Sequence, residues 1–170
     1  TVDRYLPAYS NGIPRYAAVG LDFTSSGADR KRVHETGTEL WVALAEKAYA
    51  QINESGEISQ DGTNSYEGIE YGWPDNAMSH ITGLDAERMN LSTVANLENT
   101  IINALNSGQL VNLSSGSSSP NPDVVTNHAY VITGYDAATG KFSIYNPHGP
   151  GQGFELELTV DEILTDFYKL

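Results

Sequence analysis

His128-Ala129-Tyr130-Val131-Ile132-Thr133-Gly134-Tyr135 and, beyond Asp136-Ala137-Ala138-Thr139-Gly140, Lys141-Phe142-Ser143-Ile144-Tyr145-Asn146 decide the fold class of this chain. Both stretches are rich in β-branched and aromatic residues, which suit a pleated, half-buried surface. The segment between them is short, polar and ends in glycine, as a hairpin with a longer loop requires. Side chains alternate faces along a strand. His128, Tyr130 and Ile132 therefore share one face, and Phe142, Ile144 and Asn146 share one face of the partner. Pairing Tyr135 with Lys141 sets His128 opposite His148 and diagonal to Asn146. A register two residues away sets His128 directly opposite Asn146. Either way the Cβ atoms of His128 and Asn146 lie roughly 4.5–8 Å apart, within reach of a side-chain hydrogen bond. An odd-numbered slip turns them to opposite faces.

A histidine held by an asparagine is an arrangement that a thiol nucleophile needs. A cysteine attacks a carbonyl as thiolate, so an imidazole must take its proton and later deliver it to the leaving amine. An asparagine oxygen accepting from the other ring nitrogen fixes tautomer and orientation without adding charge. The chain contains no cysteine, so two of the three groups are present and the nucleophile is not. The same residues also fit an ordinary strand histidine and a turn asparagine before Pro147. Strand parity alone does not separate the two readings.

Outward from the hairpin, three helices are expected. Residues 38–52 carry Trp41, Leu44, Ala45, Ala48 and Ile52 at three- and four-residue spacing, with Trp41 in the core. Ser92 opens a second helix burying Val94, Leu97, Ile101 and Leu105, with Gly108 as its stop. Thr159 with Glu162 forms a capping box for a third, burying Ile163, Leu164 and Phe167. Strands are expected at 16–23, 109–114, 128–135, 141–146 and 154–158. Residues 114–123, Ser-rich with Pro120 and Pro122, form a loop before the His128 strand. No internal repeat divides the chain, so residues 1–170 read as a single α+β domain on an antiparallel sheet or half-barrel with a few helices.

Composition narrows the function classes. A hydrophobic share of 39% fits a folded chain with a real core. No apolar run reaches the ~18 residues of a membrane span. The net charge of −13 argues against nucleic acid and anionic membranes as partners. The lack of cysteine excludes disulfides and zinc-thiolate sites and leaves the compartment open. The abundance of Asn, Ser, Thr, Gly and Tyr is compatible with a secreted bacterial protein. His128 and His148 share a face but have no third ligand at useful spacing, so no metal site is assigned. The acidic stretch from Glu54 to Asp61 lacks the calcium-loop pattern. His34 and His80 read as surface or loop residues. No Gly-rich loop with Lys-Ser/Thr offers a nucleotide site.

Several segments, in order, resemble the second half of the calpain protease core. Val2-Asp3-Arg4-Tyr5-Leu6-Pro7 is similar to the family's acidic-Arg-Leu-Pro run. Glu39-Leu40-Trp41-Val42-Ala43-Leu44-Ala45-Glu46-Lys47-Ala48-Tyr49-Ala50 resembles its Phe/Leu-Trp-x-x-Leu-x-Glu-Lys-Ala-Tyr-Ala helix, the most specific of these signatures. Ser65-Tyr66-Glu67-Gly68 and Ile81-Thr82-Gly83 follow as Ser-Tyr-Glu and Phe-Thr-Gly do in the family. His128-Ala129-Tyr130 resembles the His-Ala-Tyr that carries the catalytic histidine. Asn146-Pro147-His148-Gly149 resembles Asn-Pro-Trp-Gly with the catalytic asparagine, and Leu158 to Leu170 resembles the closing helix and strand.

The resemblance implies the β subdomain of a papain-like, calpain-type cysteine endopeptidase, with His128 as general base and acid and Asn146 as its orienter. It implies a polypeptide substrate, and a partner subdomain supplying the cysteine from a Gly-x-Cys-Trp motif. That motif is missing here, so the chain alone is expected to be inactive, as an excised subdomain or a processed chain. A non-catalytic binding module on the same scaffold is the alternative. Two departures bear on mechanism. His148 stands where the family has tryptophan, a possible active-site neighbour that shields the triad less, or a solvent-facing turn residue. Pro150-Gly151-Gln152-Gly153 runs straight into Phe154 where calpains carry an acidic, calcium-binding insertion, which puts calcium dependence in doubt. No cofactor is expected.

Overall fold

The computed structural model describes residues 41–58, 60–147 and 155–170, the first three by backbone alone. The expected strand at 16–23, the side chain of Trp41, His34 and His148 lie outside the described residues. The chain divides into two compact units, Thr1–Ala86 and Glu87–Leu170.

In the first unit, helix α1 (Trp41–Glu54) occupies the place its periodicity predicts. Its packing differs from the expected stripe. Leu44 and Ile52 are 36% and 41% exposed, while Ala50 and Asn53 are buried. The reason is polar: the Asn53 amide nitrogen donates to Asp61 Oδ1 at 2.7 Å, Thr63 O at 3.0 Å and Gly68 O at 3.1 Å. The helix thus buries the side that holds its own following loop. A 3₁₀ turn at Glu67–Ile69 leads to α2 (Pro74–Thr82), a helix the sequence reading did not anticipate. Its signals are present, with Pro74 in the first turn and Gly83 as a left-handed cap at φ 70°. Between them Ala77, Met78 and Ile81 are scattered among polar residues, too few to make a clear stripe.

The second unit is a five-stranded antiparallel sheet in the order β4-β3-β2-β1-β5. Its strands are β1 (Val111–Ser115), β2 (Ala129–Asp136), β3 (Lys141–Tyr145), β4 (Glu155–Leu158) and β5 (Phe167–Lys169). Period-two burial follows the sequence: Val111 and Leu113, Tyr130 and Ile132, Phe142 and Ile144, and Leu156 and Leu158 all face one core. Helix α3 (Leu97–Asn106) adds Leu97 and Ile101 to that core, and α4 (Val160–Asp166) adds Ile163. Each fully buried apolar side chain contributes about 1.5–3 kcal/mol. The architecture is α+β, as expected.

Two details differ from the sequence reading. Helix α3 starts at Leu97 because Leu91–Thr93 closes as a 3₁₀ turn and Asn96, at φ 52°, re-aims the chain. Gly108, at φ 74°, ends the following turn as predicted. Phe167 is buried from β5 rather than from the last helix, which ends at Asp166. The capping box is present: Thr159 N–H donates to Glu162 Oε2 at 2.8 Å, and Glu162 N–H returns to Thr159 Oγ1 at 3.4 Å.

The β2–β3 hairpin fixes the faces. In its turn, Ala138 N–H donates to Asp136 Oδ1 at 2.9 Å, Gly140 N–H donates to Asp136 O at 2.8 Å, and Gly140 takes φ 69°. That turn pairs Asp136 with Lys141 and Tyr135 with Phe142, one residue off the register expected from the loop. Beyond Gly134–Ser143 the ladder shifts, and Ile132 pairs with Ile144 and Val131 with Tyr145. Thr133 is the extra residue of a β-bulge, which absorbs the odd slip.

This arrangement makes a paired test of register. Deleting Thr133 leaves Ile132 and Gly134 adjacent in a regular ladder, so the chain is expected to stay folded with its core faces unchanged. Deleting Ser143 from the bulge-free β3 turns Ile144 outward and is expected to abolish folding. Amide spectra and urea denaturation of the two deletions read the difference.

Candidate active site

His128 stands one residue before β2, and Asn146 one residue after β3. Past the bulge the register is the one that places His128 diagonal to Asn146, on the core face. The two side chains meet: His128 Nε2 lies 2.8 Å from Asn146 Oδ1. An amide oxygen only accepts, so Nε2–H is the donor and Nδ1 carries the ring's basic lone pair. Asn146 is 1% exposed and His128 half-buried. The imidazole also stands edge-on to Tyr130, with ring centroids 5.1 Å apart and planes at 79°. Tyr130 in turn meets Phe167 edge-on at 5.4 Å. The histidine therefore has an aromatic wall on its own strand face and an amide anchor on the next strand.

The connection from β1 to β2 is more ordered than its serine-rich sequence suggests. Ser115, 2% exposed, bonds at several points. Its backbone N–H donates to His128 O at 2.9 Å. Its hydroxyl accepts from His128 N–H at 3.0 Å. The hydroxyl proton goes to Val125 O at 2.6 Å, the nearer of two carbonyls in reach, with His128 O at 3.1 Å. Val125 N–H donates to the Tyr130 hydroxyl oxygen at 2.7 Å. Asn127 N–H donates to Gly116 O at 2.8 Å, and Asn127 takes φ 50°, a left-handed turn that delivers the chain into β2 at His128. Farther out, Ser119 Oγ–H donates to buried Asp166 Oδ1 at 2.6 Å, which ties the loop to the end of α4.

Burial pushes the Tyr130 hydroxyl above the ordinary tyrosine range, and the bond from Val125 N–H offsets part of that. Tyr135 is also raised, first by its hydrogen bond to Glu98 at 2.8 Å, which ties β2 to α3.

Of the residues singled out from sequence, the structure brings His128 and Asn146 together, and His148 lies outside the described residues. His80 is elsewhere, on α2, with the Tyr49 hydroxyl 3.0 Å from its Nδ1. Among the described residues no group of three or more His, Asp or Glu could hold a metal ion. Ser115, the Tyr130 hydroxyl and Asp166 were not anticipated. A faint signal existed for Ser115: it follows Val111 and Leu113 at an inward position, where a hydroxyl must find partners.

Two outcomes are expected from this geometry. Asn127→Val forces a β-branched residue into the left-handed region and should cost about 1–2 kcal/mol, whereas Asn127→Gly should change stability by a few tenths; urea midpoints compare them. Tyr130 supplies the second. Its folded pKa lies above its unfolded value, so its neutral form contributes stability fully present below the unfolded pKa of about 10 and lost as pH rises through the folded value. Urea midpoints should therefore fall between about pH 9 and about pH 11, and fall less steeply in Tyr130→Phe.

Comparison with known proteins completes the description of the site. No curated protein matches the sequence. The sequence model of the family described as calpain family cysteine protease matches residues 28–152, which include His128 and Asn146. The match spans more than half of the 170 residues, and the antiparallel α+β unit agrees with it. The chain belongs to the calpain family of cysteine proteases.

Proposed function

We propose that this chain is the histidine- and asparagine-bearing subdomain of a calpain-like endopeptidase, acting on polypeptides with a cysteine supplied by another subdomain or chain. The observation that carries this reading is the 2.8 Å bond between His128 Nε2 and buried Asn146 Oδ1 in a chain of a cysteine protease family. The bond leaves Nδ1 as the nitrogen able to take a proton. In the assembled enzyme, Nδ1 of His128 accepts the thiol proton of the incoming cysteine. The thiolate adds to the scissile carbonyl, and His128 then protonates the departing amine as the C–N bond breaks. Water, deprotonated by the same nitrogen, hydrolyses the thioester and returns the thiol. Asn146 holds the ring through both transfers and adds no charge of its own.

The chain has no cysteine, so by itself it is expected to cleave nothing. Joined to a cysteine-bearing subdomain, His128→Ala should lower kcat by roughly 10²–10⁴-fold, the usual size of a general acid–base contribution, with the fold intact by amide spectroscopy. An epoxide probe for thiol proteases should label the partner cysteine, and the label should disappear in His128→Ala. Turnover near wild type in that variant sinks the proposal. A folded parent that takes no label at all points instead to a calpain-like scaffold used for binding.

A further inference from the structure

Ser115 occupies a buried position of β1, in step with Val111 and Leu113, where its hydroxyl must find hydrogen-bond partners within the protein. It takes the His128 N–H at 3.0 Å and gives its own proton to Val125 O at 2.6 Å. It also lies where the β1–β5 ladder shifts register, between Ser114–Lys169 and Ser115–Phe167. The peptide before the His128 side chain is thus fastened by a side chain, at a point where the named strand β2 has not yet begun. Its other fastenings are the Ser115 N–H on His128 O and the left-handed turn at Asn127. The backbone at His128 sets the Cα–Cβ direction, and that direction sets whether Nε2 reaches Asn146.

We infer that Ser115 is a positioning residue for His128: its hydroxyl clamps the His128 peptide to the 116–127 loop and so holds the imidazole on Asn146. The inference rests on the reading of His128 as the base and deepens it. Ser115 touches neither substrate nor reacting atoms. Its effect is on where the ring points, and misplacement of a catalytic group by even 1 Å costs up to ~10²-fold in rate.

The test uses the ¹⁵N-labelled full chain and measures exchange of the His128 Nε2 proton with water, with relaxation of the ring C–H groups. Ser115→Ala removes the clamp and should speed that exchange at least tenfold and loosen the ring, with amide shifts away from β1 and the loop unchanged. Ser115→Thr keeps the hydroxyl and should restore wild-type exchange. If Ser115→Ala does not fold, Ser115→Cys, of similar size and weak at both hydrogen bonds, reads the same effect. Exchange in a folded Ser115→Ala or Ser115→Cys chain equal to wild type overturns the inference and leaves the His128–Asn146 reading standing. Unprotected exchange already in the wild-type chain overturns both. In the assembled enzyme, Ser115→Ala should lower kcat roughly tenfold and leave KM within twofold; a change confined to KM also overturns it.

Discussion

The bulge at Thr133 is the constraint on which the site depends. The Asp136 turn pairs Tyr135 with Phe142, and both face the core, their rings 4.7 Å apart. Counting back from Tyr135 along a regular strand, Thr133, Val131 and Ala129 would follow it inward, and Ile132, Tyr130 and His128 would face out. β3 has no such irregularity, and Phe142 and Ile144 point inward with Asn146 beyond them. Looping the one extra residue, Thr133, out of the ladder between Ile132 and Gly134 reconciles the two strands. It returns Ile132 and Tyr130 to the core and brings His128 round to Asn146. A turn chosen for its own hydrogen bonds and a core chosen for its apolar residues would otherwise demand opposite faces for the histidine.

That constraint also explains what was legible in the sequence. The hairpin and the shared face of His128 and Asn146 follow from period-two alternation, because the residues around each are strongly apolar. The local register at the loop was not legible. It is set by the Asp136 carboxylate and the left-handed Gly140, which tighten the turn by one residue. The error cancels at the bulge, so the expected diagonal contact is found although the expected loop pairing is not. Apolar patterning also locates α3, α4 and the capping box. It fails for α1, where a buried asparagine rather than a leucine stripe decides which side is covered. It fails again for α2, whose ends are marked but whose faces are not.

The polar clamps were the least visible part of the site. Ser115 and Tyr130 act through backbone groups of the 116–127 loop and Asp166 through the Ser119 hydroxyl, and such bonds depend on where a chain turns rather than on side-chain types at a fixed spacing. A serine-rich stretch with two prolines looks like solvated loop. Here it is tied at Gly116, at Val125 and at Asp166. These ties fasten a long connection at three points.

The choice of asparagine at position 146 follows from burial. At 1% exposure, a carboxylate there would lose most of its hydration, a penalty of several kcal/mol even after the protein relaxes. A neutral amide accepts the same Nε2–H bond at far lower desolvation cost. Its oxygen accepts from Nε2–H in either protonation state of the ring and adds no charge of its own.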